Sequence, residues 1–172
     1  MLFTGTQGLW KPKAIHQFHS GSAYGDAVTN GLFFTRQILC ELGFSSEIYV
    51  EHIADEYRGQ LNHYSKYVSS PDQVLLVHHS MGHDLTDWIL SLSDVRILVY
   101  HNITPAHFFP DGSVFRKYSE IGREQLKIFG THTAASICDS PYNAEELAKL
   151  NYQNVSVIPL LLDIENIRRH VW

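Results

Sequence analysis

The sequence predicts an α/β fold built on a Rossmann-like, doubly wound, mostly parallel sheet. Three observations carry that prediction. Short β-rich runs alternate with helical patterns along the chain, the order that builds βαβ units. The β-rich runs are continuously apolar rather than alternating, as in strands covered on both faces. Helix start and stop residues stand where the helical period begins and ends.

Each element follows from local signals. Residues 14–18 form a short strand run that ends in polar residues and glycine. From Ala27, the positions Val28, Gly31, Leu32, Thr35, Ile38, Leu39 and Leu42 recur at helical spacing with one buried face. Asp26 suits the N-cap and Gly43 the stop. Residues 47–50 read as a second strand, and the polar stretch 54–67 as helical in part. Ser69-Ser70-Pro71-Asp72 punctuates the chain before a buried strand at 73–77, a short helix at 85–92 and a strand at 95–100. A helix at 113–129 lines up Phe115, Tyr118, Ile121, Gly122, Leu126 and Phe129 on one side. A strand at 134–138, a helix at 141–150 and a strand at 155–159 complete six predicted strands. Pro141 after Ser140 has the order of a helix start.

Composition bounds the function. The chain has 172 residues, 44% of them apolar and 18% charged, enough to bury the core of about one domain. A formal charge of −5 without a Lys/Arg run argues against nucleic acid as a partner. No apolar run approaches the ~18 residues of a membrane span, and residues 1–13 lack the apolar core of a secretory signal. Cys40 and Cys138 make no disulfide framework, so a reducing cytoplasm is expected. Both thiols suit core packing rather than catalysis.

Ligands of open α/β sheets bind beyond the carboxyl ends of the strands. Those segments here are residues 19–26, 51–52, 78–83, 101–105 and 139–143. Six of the 11 histidines fall in them: His19, His52, His78, His79, His83 and His101. The loop at 20–26 leads into a helix N-terminus, where backbone N–H groups can receive an anion; a tight strand-to-helix turn explains it equally well. Its glycines, Gly21 and Gly25, match neither the dinucleotide fingerprint nor a Walker loop. Asp26 either caps the helix or accepts sugar hydroxyls. His79 and His83 stand four apart but enclose no Glu, so they are not a metalloprotease motif. Loop histidines that bond backbone or a polar ligand are the expectation, with no metal. His101 follows a buried strand and suits a base or a hydrogen-bond donor. Arg116, Arg123 and Lys127 share a helix face, ordinarily a solvated one.

Several segments together resemble a known family. They are Gly25-Asp26-Ala27-Val28-x-Asn30, His79-Ser80-Met81-Gly82, and Tyr100-His101-Asn102-Ile103-Thr104-Pro105 with Phe108-Phe109. Gly122-Arg123-x-Gln125-Leu126, Asp139-Ser140-x-Tyr142-Asn143-x-x-Glu146-Leu147 and Val157-Ile158-Pro159 extend the set. In order and spacing they resemble the N-terminal domain of GT-B glycosyltransferases of family 4, over residues 15–163. The resemblance implies two Rossmann-like domains facing a cleft, the N-terminal one holding the acceptor. It implies transfer from a nucleotide sugar with retention and without a required metal or cofactor.

By the same resemblance His101 would be the catalytic-site histidine that positions the reacting sugar. Gly21, Gly25, Asp26, Asn30, His79, Ser80, Asn102 and Asn143 would bind donor or acceptor, Asn143 equally suiting a structural role. Residues 1–163 would be the acceptor-side domain and 164–172 the start of a linker. The family's paired donor glutamates are absent. The implied partners are a nucleotide sugar, a glycan or lipid-linked acceptor, and a donor-binding domain in cis or on a separate subunit. The alternative is a non-catalytic subunit that docks such a chain. A cytoplasmic location, with peripheral contact at the inner membrane face, completes the expectation.

Overall fold

The computed structural model describes residues 10–162 and Arg168. It is an α/β fold with one seven-stranded, all-parallel sheet in the order β3-β2-β1-β4-β5-β6-β7. The strands are β1 (Ala14–Gly21), β2 (Ile48–His52), β3 (Asn62–His63), β4 (Gln73–His79), β5 (Val95–Tyr100), β6 (Ala135–Cys138) and β7 (Val155–Val157). The helices are α1 (Ala27–Glu41), α2 (Thr86–Ser91), α3 (Val114–Phe129) and α4 (Pro141–Lys149). The chain runs outward from β1 to β3, then returns to place β4 on the other side of β1. The point where the strand order reverses therefore lies between β1 and β4, where such sheets place ligands. No helix among the described residues is long and apolar enough to cross a membrane.

The seventh strand, β3, is the one the sequence did not predict. Two residues inside a polar stretch carry no period, and β3 forms by pairing Asn62 and His63 with Tyr49 and Val50. Short 3-10 turns at Asp55–Tyr57 and Tyr64–Lys66 take the place of the expected partial helix.

The caps form as the residue types dictate. The Asp26 carboxylate accepts from the Thr29 backbone N–H at 2.7 Å and from its hydroxyl at 2.9 Å. Gly43 follows α1 at φ +86°, a conformation that favours glycine. Ser140 Oγ accepts from Asn143 N–H at 3.2 Å, with Pro141 opening α4.

The two faces of the sheet differ. On one, α2, α3 and α4 bury Phe18, Leu75, Val77, Leu98 and Tyr100 beneath Ile89, Leu126, Phe129 and Leu147. On the other, Leu32 of α1 packs on Ile48 and Val50 with Leu61, Ile53 and Tyr57, and Val74, Leu76 and Val99 form a further buried cluster. Over β4, β5 and β6 that second face carries an apolar groove of about 290 Å³, floored by Leu76, Val99 and Ile137 and walled by Leu39 and Leu161. The strand residues are thus buried on both faces, as expected, with the looser packing on this one.

Three side chains predicted to be buried are exposed: Leu42 and Phe115, each 64% accessible, and Cys40. On α3 the buried stripe is Ser119, Gly122, Gln125, Leu126 and Phe129. Its polar members serve the loops. Ser119 Oγ donates to the Thr104 carbonyl at 2.5 Å, and Gln125 Oε1 accepts from His83 N–H at 3.2 Å. Gly122 lies against Gly82, whose N–H donates to the Tyr118 carbonyl at 2.9 Å. The loop after β4 thereby rests directly on the α3 backbone.

Candidate active site

Four polar side chains line the carboxyl edge of the face that carries the groove, one each from β1 and β4 and one following each of β5 and β6: His19, His78, His101 and Asp139. Register explains the row. Tyr100 pairs with Cys138, so the residues after them, His101 and Asp139, emerge side by side. His101 Nδ1 lies 2.8 Å from Asp139 Oδ2, and His101 Nε2 lies 2.8 Å from His78 Nδ1. A carboxylate only accepts, so His101 Nδ1 carries the hydrogen. In the uncharged chain His101 Nε2 then accepts from His78 Nδ1–H. His78 Nε2 is left with a lone pair and, among the described residues, no hydrogen-bond partner. Burial, reinforced by His101 and His19, pushes the His78 pKa well below the ordinary histidine value.

A second pair stands beside this chain. His19 Nδ1 lies 2.5 Å from the Gly21 carbonyl oxygen, and His19 Nε2 lies 3.0 Å from Ser80 Oγ. Burial lowers the His19 pKa against the opposing effect of the Gly21 carbonyl. Ser80 follows β4, so this pair bridges the reversal point of the strand order.

A pocket of about 340 Å³ opens there, lined by Gly21, Glu51, His52, Met81, Phe115 and Tyr118 among others. Burial raises the Glu51 carboxyl pKa. The pocket's lining contains no Lys or Arg. Tyr24, Phe108, Phe115 and Tyr142 are all at least 64% exposed. All four belong to segments that follow strand carboxyl ends, so the edge has an aromatic rim.

The predicted residues divide between this edge and the scaffold. His101 lies in the row, Gly21 lines the pocket, and Ser80 bonds to His19 between them. Gly25, at φ +74°, shapes the turn before α1, and Asp26 caps that helix. Asn30 is exposed on α1. Asn102, at φ +70°, turns the chain after β5 and accepts from Ile103 N–H at 2.8 Å. Asn143 is buried in the first turn of α4.

His79 faces the other way. It is fully buried, 2.9 Å from the Gly122 carbonyl, with its ring edge-on to Phe129. His83 packs edge-on against it, within the same layer. Burial pushes their pKa values to about 4 and about 3, respectively. Both histidines belong to the core under α3.

Sequence reasoning missed the partners. Asp139 appeared only inside a motif, yet the offset between β5 and β6 would have paired it with His101. Arg123 is as exposed as Arg116 but is tied down, binding Glu146 and donating to the Ile103 carbonyl at 2.6 Å. Glu146 also accepts from the Tyr100 hydroxyl, which fixes α4 to the end of β5. Arg116 pairs with Asp111, and Lys127 pairs with Glu124 at 2.7 Å, both at the surface.

Both ring nitrogens of His101 are engaged, and its side chain is 3% exposed. Any action on a ligand therefore passes through its neighbours in the row. Among the described residues no group of three or more His, Cys, Asp or Glu is placed to hold a metal ion. The chain matches no protein-family model, no curated protein and no solved structure.

Proposed function

We propose that this chain is the acceptor-binding half of a retaining, nucleotide-sugar-dependent glycosyltransferase that builds a glycan or polysaccharide. The observation that carries this reading is the Asp139–His101–His78 chain at the carboxyl edge of a doubly wound sheet. These three residues line the apolar groove, and His19 in the same row contacts Gly21, which lines a second pocket with a carboxyl group and aromatic walls. Carboxylates accept sugar hydroxyls, and aromatic faces pack against the apolar faces of sugar rings. Asp139 would hold the His101 tautomer, and His101 would orient His78. Their role is positioning and hydrogen bonding near the reacting sugar. The donor would be held chiefly by a second domain, in cis or on another subunit, with no metal or cofactor required. The enzyme would work in the cytoplasm, with peripheral contact at the inner membrane face when the acceptor is lipid-linked.

A second reading, a non-catalytic subunit that docks a separate donor-binding chain, is favoured by the apolar groove. Its floor, Leu76 and Val99, is buried within the chain, while half-buried apolar side chains such as Leu39 and Ile137 would suit a partner.

NMR titration of the chain with neutral oligosaccharides, then with nucleotide sugars, tests the first reading. Saccharides should shift Glu51, Phe115 and His78 resonances, while the chain alone should transfer little sugar. Absence of any saccharide response, or transfer by this chain alone at an ordinary enzymatic rate, contradicts it.

A further inference from the structure

We infer that Ser80 is a histidine-activated nucleophile, able to accept an acyl group from a small uncharged ester bound in the adjoining pocket. The inference is independent of the glycosyltransferase reading. It rests on three atoms in line. Two Gly21 groups face His19 Nδ1, the N–H at 3.4 Å and the carbonyl oxygen at 2.5 Å; the far shorter contact is to the oxygen, which can only accept, so that nitrogen carries the ring hydrogen. His19 Nε2 is then the lone-pair nitrogen, and Ser80 Oγ, 3.0 Å away, must donate to it. The hydrogen bond is thereby fixed in direction. The serine proton points at a base, and the serine oxygen keeps its lone pairs for another partner.

Nucleophile, base and a third group that orients the base are the signature of an activated serine. Here the orienting group is a backbone carbonyl instead of a carboxylate. The placement is also that of a catalytic residue. Ser80 follows a central strand at the point where strand order reverses. It is half-buried, and its neighbours Met81 and Gly21 line the 340 Å³ pocket. Glu51 and the absence of Lys and Arg from that lining disfavour an anionic substrate.

The chemical step balances within these groups and water. Ser80 Oγ forms a bond to the acyl carbon while its proton passes to His19 Nε2. The bond from the acyl carbon to the leaving alkoxide then breaks, and the alkoxide takes the proton from His19. Water, deprotonated by His19, next attacks the acyl carbon. The bond to Ser80 breaks, Ser80 regains a proton from His19, and a carboxylic acid is released.

A fluorophosphonate probe reacted with the intact chain tests this, with the adduct located by mass spectrometry. The expected result is a single adduct on Ser80, lost in Ser80→Ala and slowed about 100-fold in His19→Gln, the scale of general-base catalysis. The wild-type rate should be flat with pH above about 7.5, because a base whose pKa lies below the ordinary 6.5 is at least about nine-tenths deprotonated there. That profile is read on the unmodified protein and does not depend on any variant folding. No adduct, an adduct on Ser20 or Ser22 instead, or a rate that climbs steadily from pH 7 to 9 would each overturn the inference. An unchanged rate in a folded His19→Gln would overturn it as well. Acetylation of Ser80 by p-nitrophenyl acetate, with the same pH profile, would extend it to acyl groups.

Discussion

His78 and His79 are consecutive, yet they end in different environments. The pleat sends His79 to the face covered by α2, α3 and α4, where it is sealed against Phe129 and the Gly122 carbonyl. It sends His78 to the face on which α1 packs, where it joins His101 and Asp139 above an apolar groove. Among the described residues each imidazole has one nitrogen without a hydrogen-bond partner; the other nitrogen of His79 meets a backbone carbonyl in the core, and that of His78 meets a second side chain. Residue type therefore did not assign function at this edge. Strand parity did, because successive strand side chains point to opposite faces.

The face under α2, α3 and α4 should be the more sensitive to substitution. The largest effect is expected from Gly82→Ala. A Cβ there would lie 2.5 Å from the Gly122 nitrogen and collide with the α3 backbone, which cannot yield as a side chain does. A loss of about 3 kcal/mol is expected from such overpacking, read by urea unfolding. Little loss would mean that the loop after β4 does not rest on α3.

The two faces can be compared directly at neighbouring positions of β4. Leu75 is fully buried under the helices, whereas Leu76, 8% exposed, floors the groove. Leu75→Ala should cost about 3 kcal/mol and Leu76→Ala about 2, since the groove leaves the second side chain without part of its packing. Equal losses would show that the groove is filled in solution.

Acid should reveal the sealed histidines. His79 and His83 have folded-state pKa values of about 4 and about 3, below the ordinary 6.5. Between pH 6.5 and those values the unfolded chain binds protons that the folded chain refuses. Stability is therefore full above pH 6.5 and falls as pH drops, by up to about 1.4 kcal/mol per pH unit for each such histidine. His79→Gln should flatten the slope between pH 6 and 4.5 by roughly one histidine's share. An unchanged slope would remove His79 from the acid response.

The smallest effect concerns the face that carries the groove. Asp26→Ala removes the cap of α1 and should cost about 1 kcal/mol, with Asp26→Asn largely retaining stability. A much larger loss would mean that Asp26 does more than cap the helix.

Much of the scaffold was legible because its signals are local. Strand β5 falls at its predicted residues, and Asp26 and Ser140 cap helices where their residue types indicated. The two-residue β3 was not legible, since its only cause is pairing with β2. The α3 stripe was misassigned because Ser119 and Gln125 are buried through bonds to loop carbonyls and N–H groups. Hydrophobic periodicity does not register such bonds. Of the candidate site, the histidine cluster was visible as a composition of strand-end segments. The division of those histidines between row and core was not, nor was the pairing of Asp139 with His101.

Local chemistry in the sequence determined the α/β class, the succession of most strands and helices, the helix caps and the edge at which the histidines gather. Each depends on near neighbours in the chain, through period, capping or turn propensity. Tertiary structure alone decided which histidine meets which partner, which face carries the groove and which glycines let two backbones touch. Those outcomes depend on register between strands far apart in sequence, where a shift of one residue exchanges the two faces.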